Sequence, residues 1–354
     1  IRCYNQNQPK YLKGIRILNN NIRGGYYNMY MYYISGNSSS NMPFTSVTID
    51  GNTLSDAYYC GIYNYYYSRY PSISNNIIKS RVNTPTTYYA IYSSYYTVID
   101  SMQNNKIYIV SNAGGYGIRL GYYHNYTTSY GAKGPLYVAN NEIIMSCKST
   151  AYGMYLYSSS QPCLISALHN SIYINNTTTT YGIYLYPYTS STTSYHFYIY
   201  NNNVFLNTTS TGHLLSFGNI AYAATGYCKL NYNNYYKPSG TTYYGSTSYT
   251  SLSAWQSAYS QDLQSTNVNP YYNNPMEALI PTSNLLCPVR TDVPRDIVGN
   301  TRTSATNNQG CYAMVYDLDA GIQAFVNPST SMAVGTNNQV SVKLRNYGNN
   351  TLTS

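Results

Sequence analysis

Short runs of alternating apolar and polar residues recur between residues 15 and 240. The clearest are GMYLY at 153–157 and GIYLY at 182–186, in which every second side chain is a tyrosine or a glycine. An alternation with a period of two predicts β-strands that carry apolar side chains on one face and tyrosines on the other. We therefore expect six apolar side chains to point into a core: Met154, Leu156, Ile172, Ile174, Ile183 and Leu185.

These runs belong to a repeated unit that is anchored on an Asn-x-apolar motif. Copies follow one another at spacings of 23 to 36 residues, and each contains three short strand-like runs. The anchor residues are Asn20, Asn52, Asn75, Asn105, Asn141, Asn170, Asn202 and Asn233. Such a repeat, with turns rich in Asn, Gly, Ser and Thr, predicts a stacked solenoid rather than one globular core. The expected fold is all-β, with residues 1–245 in a right-handed parallel β-helix of about eight coils.

The recurring asparagine has a physical explanation. Stacked coils bring equivalent residues together every ~4.8 Å, where side-chain amides can form a hydrogen-bonded ladder. Asparagine also tolerates the left-handed backbone that a sharp corner needs. The alternative is that Asn-Asn is simply a common turn dipeptide. The apolar residue two places after nearly every anchor favours the ladder.

Composition narrows the classes of partner. Charged residues make up 8% of the chain, 51 residues are tyrosine, and the net charge of +9 reflects scarce acids rather than basic clusters. Nucleic acid is therefore not an expected partner, and the absence of an apolar run of membrane-spanning length predicts no membrane span. The seven cysteines lack zinc-ligand spacing, so we expect neither a metal ion nor a cofactor. Cys287 and Cys311 could form a disulfide between C-terminal loops, or remain free.

The region after residue 245 carries a family resemblance. The segment SLSAWQSAYSQDLQSTNVNPYYNNP at 251–275 resembles the closing segment of secreted right-handed parallel β-helix repeat proteins of the Bacteroidetes type, which have the pectate-lyase-like superfold. Asp296, Gly299 and Arg302 are similar to that family's Asp-x-x-Gly-x-x-Arg element, whereas its final Gly-Ala-Tyr-Glu is degraded at 310–313. The resemblance implies a capping segment at 246–318 and a secreted, cell-surface location. It does not identify an activity, because the family includes lyases, hydrolases, adhesins and stalks.

Two further expectations depend on resemblance. Residues 319–354 alternate as QVSVKLRN and are similar to the first strands of an immunoglobulin-like or fibronectin-like β-sandwich, here incomplete. The chain is accordingly interpreted as an internal piece of a longer exported protein. Asp100-Ser101-Met102 resembles the O-glycosylation motif of Bacteroidetes, so Ser101 is a predicted acceptor.

A carbohydrate-active enzyme is the main alternative to a binding module. Lyases and glycosidases need paired carboxylates, yet residues 1–240 contain only four acids. Asp50 and Asp100 both follow a strand-like run and would lie two rungs apart, ~10 Å. His124, His169, His196 and His213 have no triad-like neighbours, and we expect them to be solvated or satisfied in the core. The shortage of acids favours a protein without catalytic residues.

The units share an outward-facing aromatic position instead. Alignment of the strands that begin with a small residue places Tyr63, Tyr92, Arg119, Tyr155 and Tyr184 in one exterior column, with Tyr30 or Tyr32 as an extension. Aromatic rings and one guanidinium suit sugar rings, because the C–H faces of a sugar pack on aromatic rings and its hydroxyls hydrogen-bond to the phenols and the guanidinium. The alternative is a purely structural column, because stacked tyrosines stabilise a sheet without any ligand. The sequence thus predicts a secreted surface module that contacts glycan, matrix or neighbouring copies.

Overall fold

The computed structural model describes residues 1–4, 12–35, 46–121, 135–157, 164–187, 196–224, 226–305, 307–314, 320–327 and 340–346. Residues 2–245 form a parallel β-solenoid of about 7 turns, followed by a C-terminal stretch with one α-helix. The predicted fold class is confirmed. Two sheets contain eight strands each, and stacking eight strands requires seven steps, so the structure agrees with the eight repeats in the sequence.

Three parallel sheets form the walls of the solenoid. Sheet I contains Arg2–Tyr4, Tyr27–Tyr32, Cys60–Tyr65, Tyr88–Ser94, Gly115–Leu120, Ala151–Tyr157, Thr180–Tyr186, Gly212–Phe217 and Thr242–Gly245. Sheet II contains Ile15–Leu18, Val47–Asp50, Ser72–Ser74, Ser101–Gln103, Leu136–Ala139, Ile165–Leu168, Phe197–Tyr200 and Cys228–Asn231. Sheet III contains Asn21–Arg23, Thr53–Ala57, Ile77–Ser80, Lys106–Ser111, Glu142–Cys147, Ser171–Asn176, Asn203–Asn207 and Asn234–Tyr236. A small two-stranded sheet, Ser68–Tyr70 and Thr97–Ile99, widens two turns.

The alternating runs fill the interior as expected. Met154, Leu156, Ile172, Ile174, Ile183 and Leu185 are all fully buried in one continuous core. The six-residue prediction is confirmed, and it fixes the register, because a shift by one residue would have turned these side chains outward. The small residue that opens the sheet I run also has a reason. A Cβ at Gly153 would lie 2.5 Å from Ile172 Cγ2 of the facing sheet, so only glycine fits there.

An asparagine ladder runs through the turn between sheets II and III. The side-chain Nδ2 of each member donates to Oδ1 of the next at 2.9–3.0 Å, and the backbone N–H donates to the same oxygen. The members are Asn20, Asn52, Asn76, Asn105, Asn141, Asn170, Asn202 and Asn233. Most members also donate to a carbonyl oxygen of the preceding coil, as Asn141 does to Met102 O at 3.0 Å.

The prediction that Asn75 belongs to the ladder is wrong, because its neighbour Asn76 makes the ladder hydrogen bonds. The residue immediately before each ladder asparagine has a positive φ, which is 56° at Asn75 and 53° at Asn140. Asn75 therefore makes the left-handed corner, and its side chain points outward to donate to Asp50 Oδ1 at 2.8 Å. One residue forms the left-handed corner and the next forms the ladder hydrogen bonds. Asparagine suits both positions, which explains why Asn-Asn recurs.

The C-terminal end of the solenoid is closed by the helix Leu252–Tyr259, after a 3-10 turn at Ile220–Ala223. Ser251 caps the helix by accepting a hydrogen bond from Ala254 N at 3.2 Å. Trp255 is fully buried, and its Nε1 donates to Asp262 Oδ2 at 3.0 Å. Asp262 Oδ1 accepts from Asn233 Nδ2 at 2.9 Å, so this carboxylate terminates the ladder.

Residues 263–314 return along the outside of sheets II and III. Val293 packs against Ala139 and Leu168 of sheet II, and Leu279 packs against Ile144 and Tyr173 of sheet III. The segment is fixed by buried polar bonds as well as by apolar contacts. Parts of two adjacent walls of the solenoid are thereby covered.

The Asp-x-x-Gly-x-x-Arg element supplies the polar attachment. Asp296 accepts hydrogen bonds from Asn300 N at 2.7 Å and Ala313 N at 3.1 Å, while Gly299 turns the chain with a φ of 95°. Arg302 donates to Asn140 Oδ1 at 2.9 Å and thus joins the segment to a solenoid corner. The element has a structural role in this chain.

The disulfide considered for Cys287 and Cys311 is not formed, since both are free and buried. Cys287 Sγ contacts Asn307 O at 3.4 Å, and Cys311 N donates to Ser171 Oγ at 2.9 Å. The two cysteines thus lie in separate packing environments.

The strands Ala320–Asn327 and Ser341–Asn346 pair in antiparallel fashion. The larger β-sandwich expected for this region stays a prediction.

Candidate functional site

The outward side of sheet I carries a continuous column of large side chains, the central column. Strand pairing aligns Tyr30, Tyr63, Tyr92, Arg119, Tyr155 and Tyr184 on successive rungs. The structure thus brings together all five predicted residues and selects Tyr30 rather than Tyr32 as the extension. Arg2 precedes Tyr30 on the first rung and Ser216 follows Tyr184.

Rings of the central column contact one another. Tyr155 and Tyr184 stack with centroids 4.8 Å apart, and Tyr30 and Tyr63 stack at 5.5 Å. Tyr92 breaks the sequence of parallel rings, because it meets Tyr63 edge-on at an interplanar angle of 75°. Most ring faces are therefore covered by neighbours, and the column presents ring edges and hydroxyls outward. Face-on packing of a sugar ring, which the sequence suggested, has room only where the stacking is broken.

A second column, which sequence reasoning missed, runs beside the first. Tyr89, Tyr116, Tyr152 and Tyr181 stack at 4.8, 4.7 and 4.5 Å with interplanar angles of 5 to 8°. His213 continues the stack on Tyr181 at 4.4 Å. The signal was present in the sequence, because a tyrosine stands three residues before each member of the central column in YYAIY, GYGIR, AYGMY and TYGIY. We call the two columns together the tyrosine face.

Arg119 lies inside a group of aromatic rings. Its guanidinium carbon is 4.7 Å from the centroid of Tyr92, 5.0 Å from Tyr116 and 5.3 Å from Tyr89. The Nη1 donates to Tyr89 Oη at 3.2 Å. Burial alone would lower the pKa of Arg119, but the surrounding tyrosines raise it, so the group stays cationic.

The tyrosines of the tyrosine face are half-buried, and the described contacts of the C-terminal segment fall on sheets II and III. Burial is also the main reason why the pKa of Tyr155 rises to about 12 and that of Tyr184 rises above its ordinary value. The phenols therefore remain protonated at physiological pH, and each can both donate and accept a hydrogen bond. The result is a flat, neutral, hydroxyl-bearing surface with one embedded cation in its middle.

The carboxylate pair considered for catalysis does not form. Asp50 aligns with Ser74, and Ser74 aligns with Gln103. The residue equivalent to Asp50 two rungs on is therefore Gln103, which stands three residues after Asp100. The Asp100 carboxylate instead accepts from Arg69 Nη2 at 2.9 Å. The alignment that suggested two equivalent aspartates was wrong, because an extra strand at Thr97–Ile99 displaces Asp100 from that turn.

The histidines occupy structural positions where the structure describes them. His169 is fully buried, with Nδ1 3.1 Å from Asn308 O and Nε2 2.9 Å from Asn201 Nδ2. Burial and then the nearby Arg302 lower the pKa of His169 well below its ordinary value. His196 and His213 are also buried, and His124 lies outside the described residues.

Other predicted features have no catalytic or metal geometry. Within the described ranges, no group of three His, Cys, Asp or Glu side chains could hold a metal ion. The helix of the described chain is too short and polar to cross a membrane. Ser101 begins a strand of sheet II and is half-buried. Its glycosylation stays a prediction.

Comparison of the chain with protein-family models, curated proteins and solved structures finds no significant match. The resemblance to secreted β-helix repeat proteins therefore rests on the residues quoted above. The fold itself rests on the strand pairing.

Proposed function

We propose that this protein is a non-catalytic, extracellular contact module that binds extended glycan chains along the tyrosine face. The observation that carries the proposal is the alignment of the central column on sheet I, whereas the described contacts of the C-terminal segment fall on sheets II and III. A linear ligand would lie along the stacking direction, because equivalent phenols repeat there every ~4.8 Å.

The chemistry of the face supports a sugar ligand. Ring edges offer apolar contact, and protonated phenols offer donors and acceptors for sugar hydroxyls. A flat face buries little of each sugar, so each contact is weak, and affinity accumulates from many contacts along one chain. The charge-poor composition and the implied secretion of similar proteins support the extracellular location.

Affinity gel electrophoresis tests this proposal with dextran, carboxymethyl-dextran, xylan and hydroxyethyl cellulose in the gel. The native protein should be retarded by at least one polymer. A triple variant with Tyr92, Tyr155 and Tyr184 changed to Ser should lose that retardation. Its melting temperature should fall, because ring contacts of the central column are lost, yet the variant should remain folded because the buried core and the ladder remain.

The matched control changes three tyrosines away from sheet I. Tyr198 lies on sheet II, Tyr236 on sheet III and Tyr222 in the 3-10 turn. The control variant should be retarded like the native protein. Equal loss in both variants, or no retardation of the native protein by any polymer, would refute glycan binding by this face.

Sedimentation of the same proteins separates binding from assembly. A native oligomer that becomes monomeric in the triple variant, with no retardation by any polymer, would make the tyrosine face an interface between copies. The glycan proposal would then be rejected.

A further inference from the structure

Among the described residues, the tyrosine face contains two arginines and no acid. Arg119 stands at the centre of the column, and Arg2 stands on the same column four rungs away, ~19 Å. The Arg2 guanidinium carbon lies 5.2 Å from the Tyr4 centroid and 5.6 Å from that of Tyr30. Both cations therefore rest on aromatic rings.

The acids of the protein lie elsewhere. Among the described residues three ion pairs form, and their cations are Arg23, Arg69 and Arg290. The described acids lie on sheets II and III, beside these sheets, or among the C-terminal residues 262–296. They are Asp50, Asp56, Asp100, Glu142, Asp262, Glu277, Asp292 and Asp296. The two remaining acids, Asp317 and Asp319, are outside the described ranges.

Four of the connections that leave sheet I toward sheet II also lack acids. The stretches 36–45, 122–134, 158–163 and 188–195 join sheet I strands to sheet II strands and contain no Asp or Glu. A partly buried guanidinium that pairs with no carboxylate is costly unless rings or a ligand compensate the lost solvation. The rings hold Arg119 in place, yet its Nε is buried without any acceptor.

We propose that the polymer bound by the tyrosine face is anionic, and that Arg119 pairs with one of its carboxylate or sulfate groups. This inference rests on the proposed function and specifies its ligand class. The rings fix the guanidinium before binding, so little side-chain freedom is lost when the anion arrives. Arg2 offers a second contact along the same chain.

Three polymers with one backbone test the inference: dextran, carboxymethyl-dextran and dextran sulfate. Their dissociation constants for the full chain would be measured by biolayer interferometry at fixed ionic strength. The charged polymers should bind more tightly than dextran. Arg119→Gln should weaken binding of a charged polymer by about tenfold, the effect of one charge-assisted hydrogen bond.

The net charge of +9 attracts any polyanion, so a variant with the same change in charge is required. Arg81 is exposed and follows the sheet III strand Ile77–Ser80, and it belongs to neither column of the tyrosine face. Arg81→Gln should weaken binding much less than Arg119→Gln. Arg119→Lys keeps the charge, and it serves as the second variant if Arg119→Gln lowers the melting temperature. An intermediate affinity for Arg119→Lys supports the pairing.

Two results would overturn the inference. Dextran could bind as tightly as its charged derivatives, or Arg119→Gln could match Arg81→Gln; either result rejects the anionic ligand while leaving a neutral glycan possible. The proposed function fails separately if the triple tyrosine variant binds all three polymers like the native protein.

Discussion

At the residue scale, the asparagine ladder stabilises every turn between sheets II and III. Each buried amide both donates and accepts, so the loss of one member leaves several partners unsatisfied. Asn141 illustrates this, since Oδ1 accepts from Asn105 Nδ2 at 3.0 Å and Nδ2 donates to Asn170 Oδ1 at 2.9 Å. The sequence predicted seven of the eight positions. The eighth was displaced by one residue, because Asn75 and Asn76 look alike in sequence and only backbone geometry separates corner from ladder.

Asn141→Ala should lower the free energy of unfolding by at least about 2 kcal/mol, because it leaves buried donors and a carbonyl unpaired. Chemical denaturation measures the change. The control is Asn175→Ala, because Asn175 is exposed and only accepts from Asn207 Nδ2 at 3.3 Å. Similar small effects in both variants would show that the ladder contributes little.

At the element scale, strand register determines which side chains form the tyrosine face. Period-two alternation was sufficient to place the central column, because one buried face fixes the register. The sequence analysis did not predict the second column. Tyr116 and Tyr152 stand beside small residues at the start of each strand, where the alternation of apolar and polar residues does not show which face a side chain takes. The prediction that Asp50 and Asp100 occupy equivalent positions was wrong. The extra strand Thr97–Ile99 could not be distinguished in the sequence from the sheet II strand that precedes each ladder asparagine.

Tyr152→Ser should cost about 1–3 kcal/mol of stability, because Tyr152 stacks on two neighbours and each aromatic pair contributes roughly 0.5–1.5 kcal/mol. Those neighbours are Tyr116 at 4.7 Å and Tyr181 at 4.5 Å. Thermal and urea denaturation provide the measurement. Tyr222→Ser is the comparison, as Tyr222 lies outside sheet I and should cost less. An equal cost would mean that ring stacking along the column adds no stability.

At the scale of the whole molecule, the described contacts of the C-terminal segment fall on sheets II and III, and the tyrosine face lies on sheet I. Its attachment includes His169, buried between the segment and the turn. The sequence indicated that a closing segment exists, from residues 251–275 and the Asp296 element. It could not indicate which sheets the segment contacts, because such contacts join residues distant in sequence, as Leu279 and Glu142 do at 137 positions apart.

Stability should fall as the pH decreases below about 6.5, the ordinary pKa of histidine. The folded protein holds His169 neutral, because burial and then Arg302 lower its pKa. The unfolded chain takes up the proton first, so each pH unit below this value favours unfolding by about 1.4 kcal/mol until the folded pKa is reached. Urea denaturation between pH 7 and 5 measures the slope. His169→Gln should reduce the slope of unfolding free energy against pH by the amount that corresponds to about one bound proton. An unchanged slope would assign the pH dependence to other groups.

Hydroxyl-radical footprinting of tyrosine rings, with and without carboxymethyl-dextran, tests the central claim that the tyrosine face is the contact surface. Tyr92, Tyr155 and Tyr184 should be modified in the free protein and protected when the polymer is bound. Tyr198 on sheet II and Tyr222 in the 3-10 turn should be modified equally in both states. Protection of Tyr198 and Tyr222 with no protection of the central column would contradict the account.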